Sequence, residues 1–350
     1  MSDARLVLSA AGVLREFNEA GVLAAADLHV ARRLAELAGE TDEAVMLAAA
    51  LAVRGPRLGH VFVDLEEIRD TVTVDTDEPV DLSALPWPDA DGWVGRLAAS
   101  PLVAVGEEPG DPRPLRLVGS ALYLDRYWRE ERQVAADLLA LAGEAPGPVP
   151  DDLARFFEPG RQRDAAETAL RRRFAVIAGG PGTGKTTTVA RTLALILEQG
   201  DPLVALAAPT GKAAARLTEA VHDEAAKLDV DEHVRARLLA LEASTLHRLL
   251  GWRPDSRSRF RHDRGNRLPY DVVVVDEASM VPLSRMARLV EAVRADARLI
   301  LVGDPDQLAS IEAGAVLGDI VGAAHENVVK LDHAVVGGGH DVAEDGAGLD

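Results

Sequence analysis

The 350-residue sequence has no cysteine. Disulfides, thiolate nucleophiles and cysteine-ligated metals are therefore excluded, and a reducing, cytoplasmic setting is the expectation. Long apolar runs are also missing. The longest, Ala44 to Val53, falls well short of the roughly 20 residues that span a bilayer, so it predicts a buried helix and no membrane role. Asp3, Arg5, Arg15, Glu16, Glu19 and Asp27 interrupt the first thirty residues, which rules out a signal peptide. Positive charge is scarce. The net charge of −19 argues against wholesale coating of a polyanion. Lysine is scarcer still, at four residues: Lys185, Lys212, Lys227 and Lys330. A compact ammonium is not interchangeable with a guanidinium, so two lysines inside motifs are informative.

Charge is unevenly spread. Residues 1–150 hold 13 basic and 26 acidic side chains, whereas residues 151–330 hold 25 and 26. The middle block is the one that can sit beside a polyanion. Residues 1–150 read as mainly helical, with apolar residues at helical spacing from Val13 to Ala38 and a further helix over Ala44 to Arg54, capped by Thr41. His60 to Leu65 reads as a short strand, Leu117 to Leu124 as extended, and Arg126 to Leu141 as a helix. Thr71 to Pro88 reads as a loop and Gly143 to Pro150 as a linker. No motif in this block carries recognisable chemistry.

Beyond the linker the pattern changes. Phe174–Ala178, Leu203–Ala208, Asp271–Val275 and Leu299–Val302 are apolar on both faces and alternate with helical stretches. That predicts a parallel sheet covered on both sides, with ligands at the carboxyl ends of its strands. The first of these strands runs into Gly179-Gly180-Pro181-Gly182-Thr183-Gly184-Lys185-Thr186, which fits G-x-x-x-x-G-K-[ST] and precedes a helix over Thr187 to Gln199. The glycines let backbone N–H groups turn inward on a phosphate, and the helix start adds partial positive charge. Lys185 would reach the β- and γ-phosphates, and the Thr186 hydroxyl would ligate Mg²⁺.

Each later strand also ends in polar residues. The second meets Pro209, Thr210, Gly211 and Lys212, where an exposed lysine at a helix start would suit a nucleic-acid phosphate. The third ends in Asp276-Glu277; Asp276 would hold Mg²⁺ and Glu277 would polarise water. The fourth leads to Gln307, placed to hydrogen-bond a γ-phosphate or to orient water. Thr245 and His247 lie in STLHRLLG, which reads equally well as a capped helix. Trp252 to Leu268 carries six arginines, Arg257, Arg259 and Arg261 among them, interleaved with a Trp and a Phe, a pattern suited to single-stranded nucleic acid.

In this order, GGPGTGKTT, APTGKAAARL, STLHRLLG, VVVVDEASM and LVGDPDQLASIEAG resemble helicase motifs I, Ia, Ib, II and III of the RecD family, the alpha subunits of bacterial exodeoxyribonuclease V and members of helicase superfamily 1. The resemblance covers about residues 1–330. It implies an α/β fold: a RecA-like P-loop NTPase domain with a parallel sheet, preceded by a small, mainly helical N-terminal domain. The implied boundaries are 1–110 for the acidic docking domain, 111–155 for a connecting helix and linker, and 156–330 for helicase domain 1A with a hairpin insertion at 252–268; residues 331–350 resemble nothing in the family and, rich in Gly and Asp without periodicity, read as a disordered tail.

The implied activity is ATP-driven 5′→3′ translocation on DNA at double-strand break ends, within a heterotrimer with RecB- and RecC-like subunits. The implied cofactors are ATP and Mg²⁺. Gln162 resembles the adenine-reading glutamine, and Gly179 to Thr187 form the nucleotide loop, including Gly179, Gly180, Pro181, Gly182, Thr183, Gly184 and Thr187. Lys185, Asp276, Glu277 and Gln307 are the implied catalytic set, and Thr186 and Asp276 the metal ligands. Pro209, Thr210, Lys212, Thr245, His247, Arg257, Arg259 and Arg261 are the expected DNA contacts.

Members of the family bind ATP between two RecA-like domains, and motifs IV to VI of the second are not found in this sequence. The expectation is a shortened chain that binds Mg·ATP weakly and hydrolyses it slowly, because an arginine finger is worth about 10³–10⁵ in rate. A non-catalytic docking module and a stand-alone helicase of the same superfamily are the alternatives.

Overall fold

A computed structural model describes residues 11–74, 80–108, 110–143, 145, 149–150, 153–253, 260–307, 313–314, 316–322 and 328–331. Arg257, Arg259 and the tail from residue 332 onward lie outside the described residues.

The first unit begins with three helices, α1 (Gly12–Glu19), α2 (Ala25–Ala38) and α3 (Glu43–Arg54). The long apolar run forms α3, whose residues from Leu47 to Ala52 are all buried. The N-cap of α3 is Asp42 rather than Thr41: Asp42 is extended, and its carboxylate accepts from the Ala44 N–H at 2.8 Å. Then come β1 (Phe62–Asp64), α4 (Ile68–Thr71), α5 (Ala90–Ala99), β2 (Val103–Val105), β3 (Leu115–Val118) and β4 (Ala121–Leu124). The four strands form one sheet, ordered β1-β4-β3-β2, with β2 and β3 parallel and the other pairs antiparallel. This sheet runs across residue 110. Its inner face and α3 share a core with Trp93, whose indole donates to the Ala44 carbonyl at 2.8 Å.

The next helix, α6 (Asp125–Leu141), leaves that sheet and packs on the second unit. Val134, Leu138 and Leu141 enter its core, and Gln133 donates to the Ala287 carbonyl and to Glu291. The remaining elements are α7 (Arg161–Arg171), β5 (Phe174–Ala178), α8 (Lys185–Glu198), β6 (Val204–Ala208), α9 (Gly211–Ala225), α10 (Glu232–Leu239), β7 (Ala243–Thr245), α11 (Leu246–Leu249), β8 (Val272–Val275), α12 (Leu283–Ala292), β9 (Arg298–Gly303), α13 (Val316–Gly322) and β10 (Val328–Lys330).

Six strands form one parallel sheet in the order β10-β5-β9-β8-β6-β7. The predicted strands are all here. Edge strands β7 and β10 were not foreseen; each has only three residues, all partly or fully exposed. Burial follows the pleat. Val273, Val275, Leu299 and Leu301 point to the face covered by α6 and α12, while Val272, Val274, Ile300 and Val302 point to the face covered by α7 to α10. Both faces are buried, which is why these strands read as continuous apolar runs. The chain moves outward from β5 to β6 and returns through β8 to β9, which lies directly beside β5. A crevice at the carboxyl ends follows from that reversal.

No helix among the described residues is long and apolar enough to cross a membrane.

Candidate functional site

The loop after β5 has the geometry the glycines predict. Gly182 and Gly184 have φ of +78° and +83°, in the left-handed region where a Cβ is strained. Gly184 has a second reason to lack a side chain: a Cβ there would lie 2.3 Å from the Gln162 amide nitrogen. Gln162 is on the first turn of α7 and donates to the Thr183 carbonyl at 3.0 Å. The sequence-predicted glutamine is thus in contact with the loop. Thr183 ties the loop to itself, its hydroxyl donating to the Gly180 carbonyl at 2.9 Å.

Lys185 is the first residue of α8, and its ammonium donates to the carbonyls of Gly179 and Gly180, at 2.5 and 2.8 Å. The loop thereby encircles the lysine. Lys185 and Thr186 occupy the first turn of α8, beside the unpaired N–H groups of the helix start. Gly179 and Gly303, the residues just past β5 and at the end of β9, are joined by the Gly179 N–H donating to the Gly303 carbonyl at 3.1 Å. A Cβ on Gly303 would meet the amide nitrogens of Ala278 and Ser279 at 3.2 and 3.1 Å. Three strand ends therefore converge within van der Waals reach.

Asp276 extends β8, its N–H donating to the Ala207 carbonyl at 2.9 Å. Burial pushes its carboxyl above the ordinary carboxylate range. The Glu277 N–H, which donates to its Oδ1 at 2.9 Å, works the other way, as does the charge of Lys185. Glu277 is left-handed, at φ 51°, and is the one non-glycine residue among the described residues with positive φ. Holding it there costs about 1–3 kcal/mol, and such strain clusters at functional positions.

A cleft of about 360 Å³ opens at these strand ends. Thr210, Lys212 and Arg216 line it together with Asp276, Glu277 and Gln307. The Gln307 amide oxygen accepts from the Ser279 hydroxyl at 3.4 Å. Arg216 escaped the sequence reading. Its spacing from Lys212 was the available signal, since residues four apart share a helix face.

The expected DNA contacts do not form one cluster. Pro209, Thr210 and Lys212 lie at the β6–α9 turn, where the Thr210 hydroxyl caps α9 by accepting from Ala213 N–H at 3.2 Å. Thr245 caps α11 in the same way, accepting from Arg248 N–H at 3.3 Å. His247 faces a different cavity, with its ring centroid 6.1 Å from that of Phe260. In the arginine-rich segment the described residues pair across two isolated bridges, Trp252 with Phe260 and Asp263 with Asn266, and Asp263 accepts from the N–H groups of Gly265 and Asn266. Arg261 is exposed in this segment, its backbone N–H bonded to the Leu250 and Gly251 carbonyls.

Comparison with known proteins agrees with this geometry. Residues 19–123 match the family described as "RecBCD enzyme subunit RecD, N-terminal domain", and residues 162–313 match an AAA domain family. The chain is 56% identical over 328 residues to the RecBCD enzyme subunit RecD of Mycolicibacterium smegmatis, covering 91% of this chain and 56% of that one. It is 56% identical over 331 residues to the subunit of the same name from Mycobacterium tuberculosis, covering 92% and 54%. It is 35% identical over 242 residues to the ATP-dependent RecD2 DNA helicase of Deinococcus radiodurans, covering 65% and 31%. The chain thus spans about half the length of these two RecD relatives. With both regions matched in order and more than half of the aligned residues identical, this chain belongs to the RecD family.

Proposed function

We propose that this chain carries the nucleotide-binding half of an ATP-driven DNA helicase subunit, working with RecB- and RecC-like partners on double-strand break ends in repair and recombination. The reading is supported most strongly by one juxtaposition: a glycine-wrapped lysine at the start of α8, just past β5, and a half-buried aspartate just past β8, two strands away on the same carboxyl edge of the sheet. A lone phosphate loop would bind anions. A loop that also faces a carboxylate suits a phosphate accompanied by a divalent cation.

The residues fit that pair of ligands. The Gly182 and Gly184 turns leave no Cβ in the cradle, and Asp276 is a half-buried carboxyl whose charged form a cation would favour. Mg²⁺ bound here would neutralise charge developing on the transferred phosphoryl group. The Thr186 hydroxyl and the Asp276 carboxylate are the protein groups that would hold it. Lys185 would exchange its contacts with the Gly179 and Gly180 carbonyls for β- and γ-phosphate oxygens. Gln162, already bonded to the loop, would meet the base. Glu277 would accept a proton from the attacking water, its left-handed backbone aiming the carboxylate into the cleft rather than along the strand. Gln307, in the same cleft, would orient that water or the γ-phosphate, and a change there would pass through Ser279 to the turn after β8. Lys212, Arg261 and His247, with Thr210 and Thr245 at the caps beside them, would contact DNA. The N-terminal unit would dock to a partner, and a cytoplasmic location fits the absence of cysteine.

The experiment is nucleotide binding, read with a fluorescent ATP analogue with and without Mg²⁺. Binding that strengthens with Mg²⁺ and loses that dependence in Asp276→Asn is expected. Metal-independent binding, or binding unaffected by Lys185→Ala, would remove the reading. Restoration of DNA-stimulated ATP turnover in a reconstituted complex separates an enzyme from a docking module.

A further inference from the structure

A cleft of about 950 Å³, larger than the nucleotide cleft, is lined by residues of the N-terminal unit, α6, α11, Trp252, Phe260 and the start of α12. Five guanidiniums line it: Arg57, Arg126, Arg129, Arg285 and Arg288. In a chain of net charge −19, whose first 150 residues have twice as many acids as bases, such a gathering needs a reason.

Three of the five are braced from behind. Arg57 pairs with Asp27 at 2.6 Å, Arg129 with Asp125 at 2.5 Å, and Arg288 with Glu291 at 2.5 Å, each carboxylate side chain being less than a tenth exposed. Buried acids thus set the positions of guanidiniums that remain about a third to a half exposed. Arg126 and Arg285 have no carboxylate partner among the described residues. Arg126 instead lies over the Tyr127 ring, 4.5 Å from its centroid.

Aromatic rings complete the cleft. Trp252 is 48% exposed, the only exposed tryptophan among the large apolar residues described as such, and is bridged to Phe260, whose ring faces His247. Guanidiniums alternating with open ring faces match phosphates alternating with bases. A purely acidic peptide would use the charge and leave the rings idle.

We propose that this cleft seats a segment of single-stranded nucleic acid, with Arg126 and Arg285 on its phosphates and Trp252 stacked on a base. The N-terminal unit, through Arg57, then forms one wall of the nucleic-acid path in addition to any docking role. This rests on the reading that the chain handles DNA, and it adds a site that the strand-end motifs do not supply.

The test is fluorescence anisotropy of a labelled oligothymidylate of about 15 nucleotides, enough to fill one such site. The full chain is compared with Arg126→Gln/Arg285→Gln, Trp252→Phe and Lys212→Ala, each checked for folding by circular dichroism and for binding of the fluorescent ATP analogue. The double variant is expected to bind at least about tenfold more weakly, with the salt slope reduced by about 1.4, the value for two phosphate contacts on a single strand. The aromatic ring kept in Trp252→Phe should preserve part of the affinity, and tryptophan quenching by the oligonucleotide should disappear in that variant. Oligonucleotide affinity within about twofold of the unaltered chain in the double variant, with Lys212→Ala impaired, would overturn this inference alone. Polyglutamate binding that needs Arg126 and Arg285, with oligonucleotide binding unchanged, would overturn it in favour of an acidic protein partner. No oligonucleotide binding by the unaltered chain would take the DNA reading down with it.

Discussion

The described residues hold two sheets, and their difference explains where the candidate site residues gather. In the six-stranded sheet every strand runs the same way, so every connection must cross over, and all the carboxyl ends open on one edge. Gly179, Lys212, Asp276 and Gln307 lie on that edge or just past it although long stretches of sequence separate them. In the four-stranded sheet β3 and β4 are joined by a tight turn, and antiparallel pairing sends successive ends to opposite edges. The polar groups at its ends pair with one another, Ser120 with Asp64 and Arg116 with Asp125. Its contribution is a core built on α3, and Arg57 at the junction. Parallel order thus gathers the candidate residues on one edge, and the mixed sheet has no such common edge.

The comparison can be broken most forcefully in the cores. Leu301→Ala, in the middle of the parallel sheet, is expected to cost about 2–5 kcal/mol and to lower nucleotide affinity with stability. Leu47→Ala, equally buried in the first unit, is expected to cost as much while nucleotide affinity persists at temperatures below the transition. Urea denaturation followed in parallel with nucleotide binding measures both. If Leu47→Ala abolishes nucleotide binding in the folded protein, the two units are not separable in function.

Lys185→Ala comes next. Removing a charge-assisted donor, worth about 1.5–3 kcal/mol, should weaken triphosphate binding by about 10- to 100-fold while thermal stability changes little. Titration calorimetry distinguishes this from unfolding.

Two glycines sharpen the comparison within one backbone conformation. Gly39 at the end of α2 has φ +70° with nothing near a Cβ, whereas Gly184 has φ +83° with Gln162 in the way. Gly39→Ala should cost about 1–2 kcal/mol from strain alone. Gly184→Ala should cost more and should also weaken nucleotide binding, because it displaces the glutamine. Equal effects on stability and none on binding would mean that Gln162 is not part of the site.

The smallest effect concerns pH. Burial raises the folded-state pKa of Asp276 above its usual 3.8, so the folded chain holds that proton more tightly than the unfolded chain. Stability from this group is fully present below the unfolded pKa and is lost as pH rises toward the raised value. Asp276→Asn should flatten the fall and leave the nucleotide-free protein more stable at neutral pH. Thermal melts at several pH values, with and without Mg·ATP, check the sign, since the ligand should reverse the ranking.

Much of the second unit was legible in the residues themselves. Phe174–Ala178 is a strand with the bounds the apolar run suggests, and the valines of β8 end where the two carboxylates begin. The left-handed Glu277 was not legible, because no local signal marks a glutamate for positive φ; only packing around the β8 turn imposes it. The first unit was harder. β2 is three residues long, and its partner β3 begins ten residues after it ends, so its pairing depends on a fold rather than on a pattern. α6 reads as a connector from its position in the chain, yet its apolar stripe belongs to the core of the following unit.

By itself the sequence determined the glycine-rich turn before α8, the four central strands of the parallel sheet and the acids that follow β8, because these follow from local sterics and from burial on both faces of a strand. Only the tertiary structure decided that Gln162 touches the loop, that Arg216 shares a cleft with Glu277, and that arginines from α6, α12 and the first unit face one another. Those placements join residues far apart in the chain, and their proximity is set by how the layers pack, which no short-range pattern encodes.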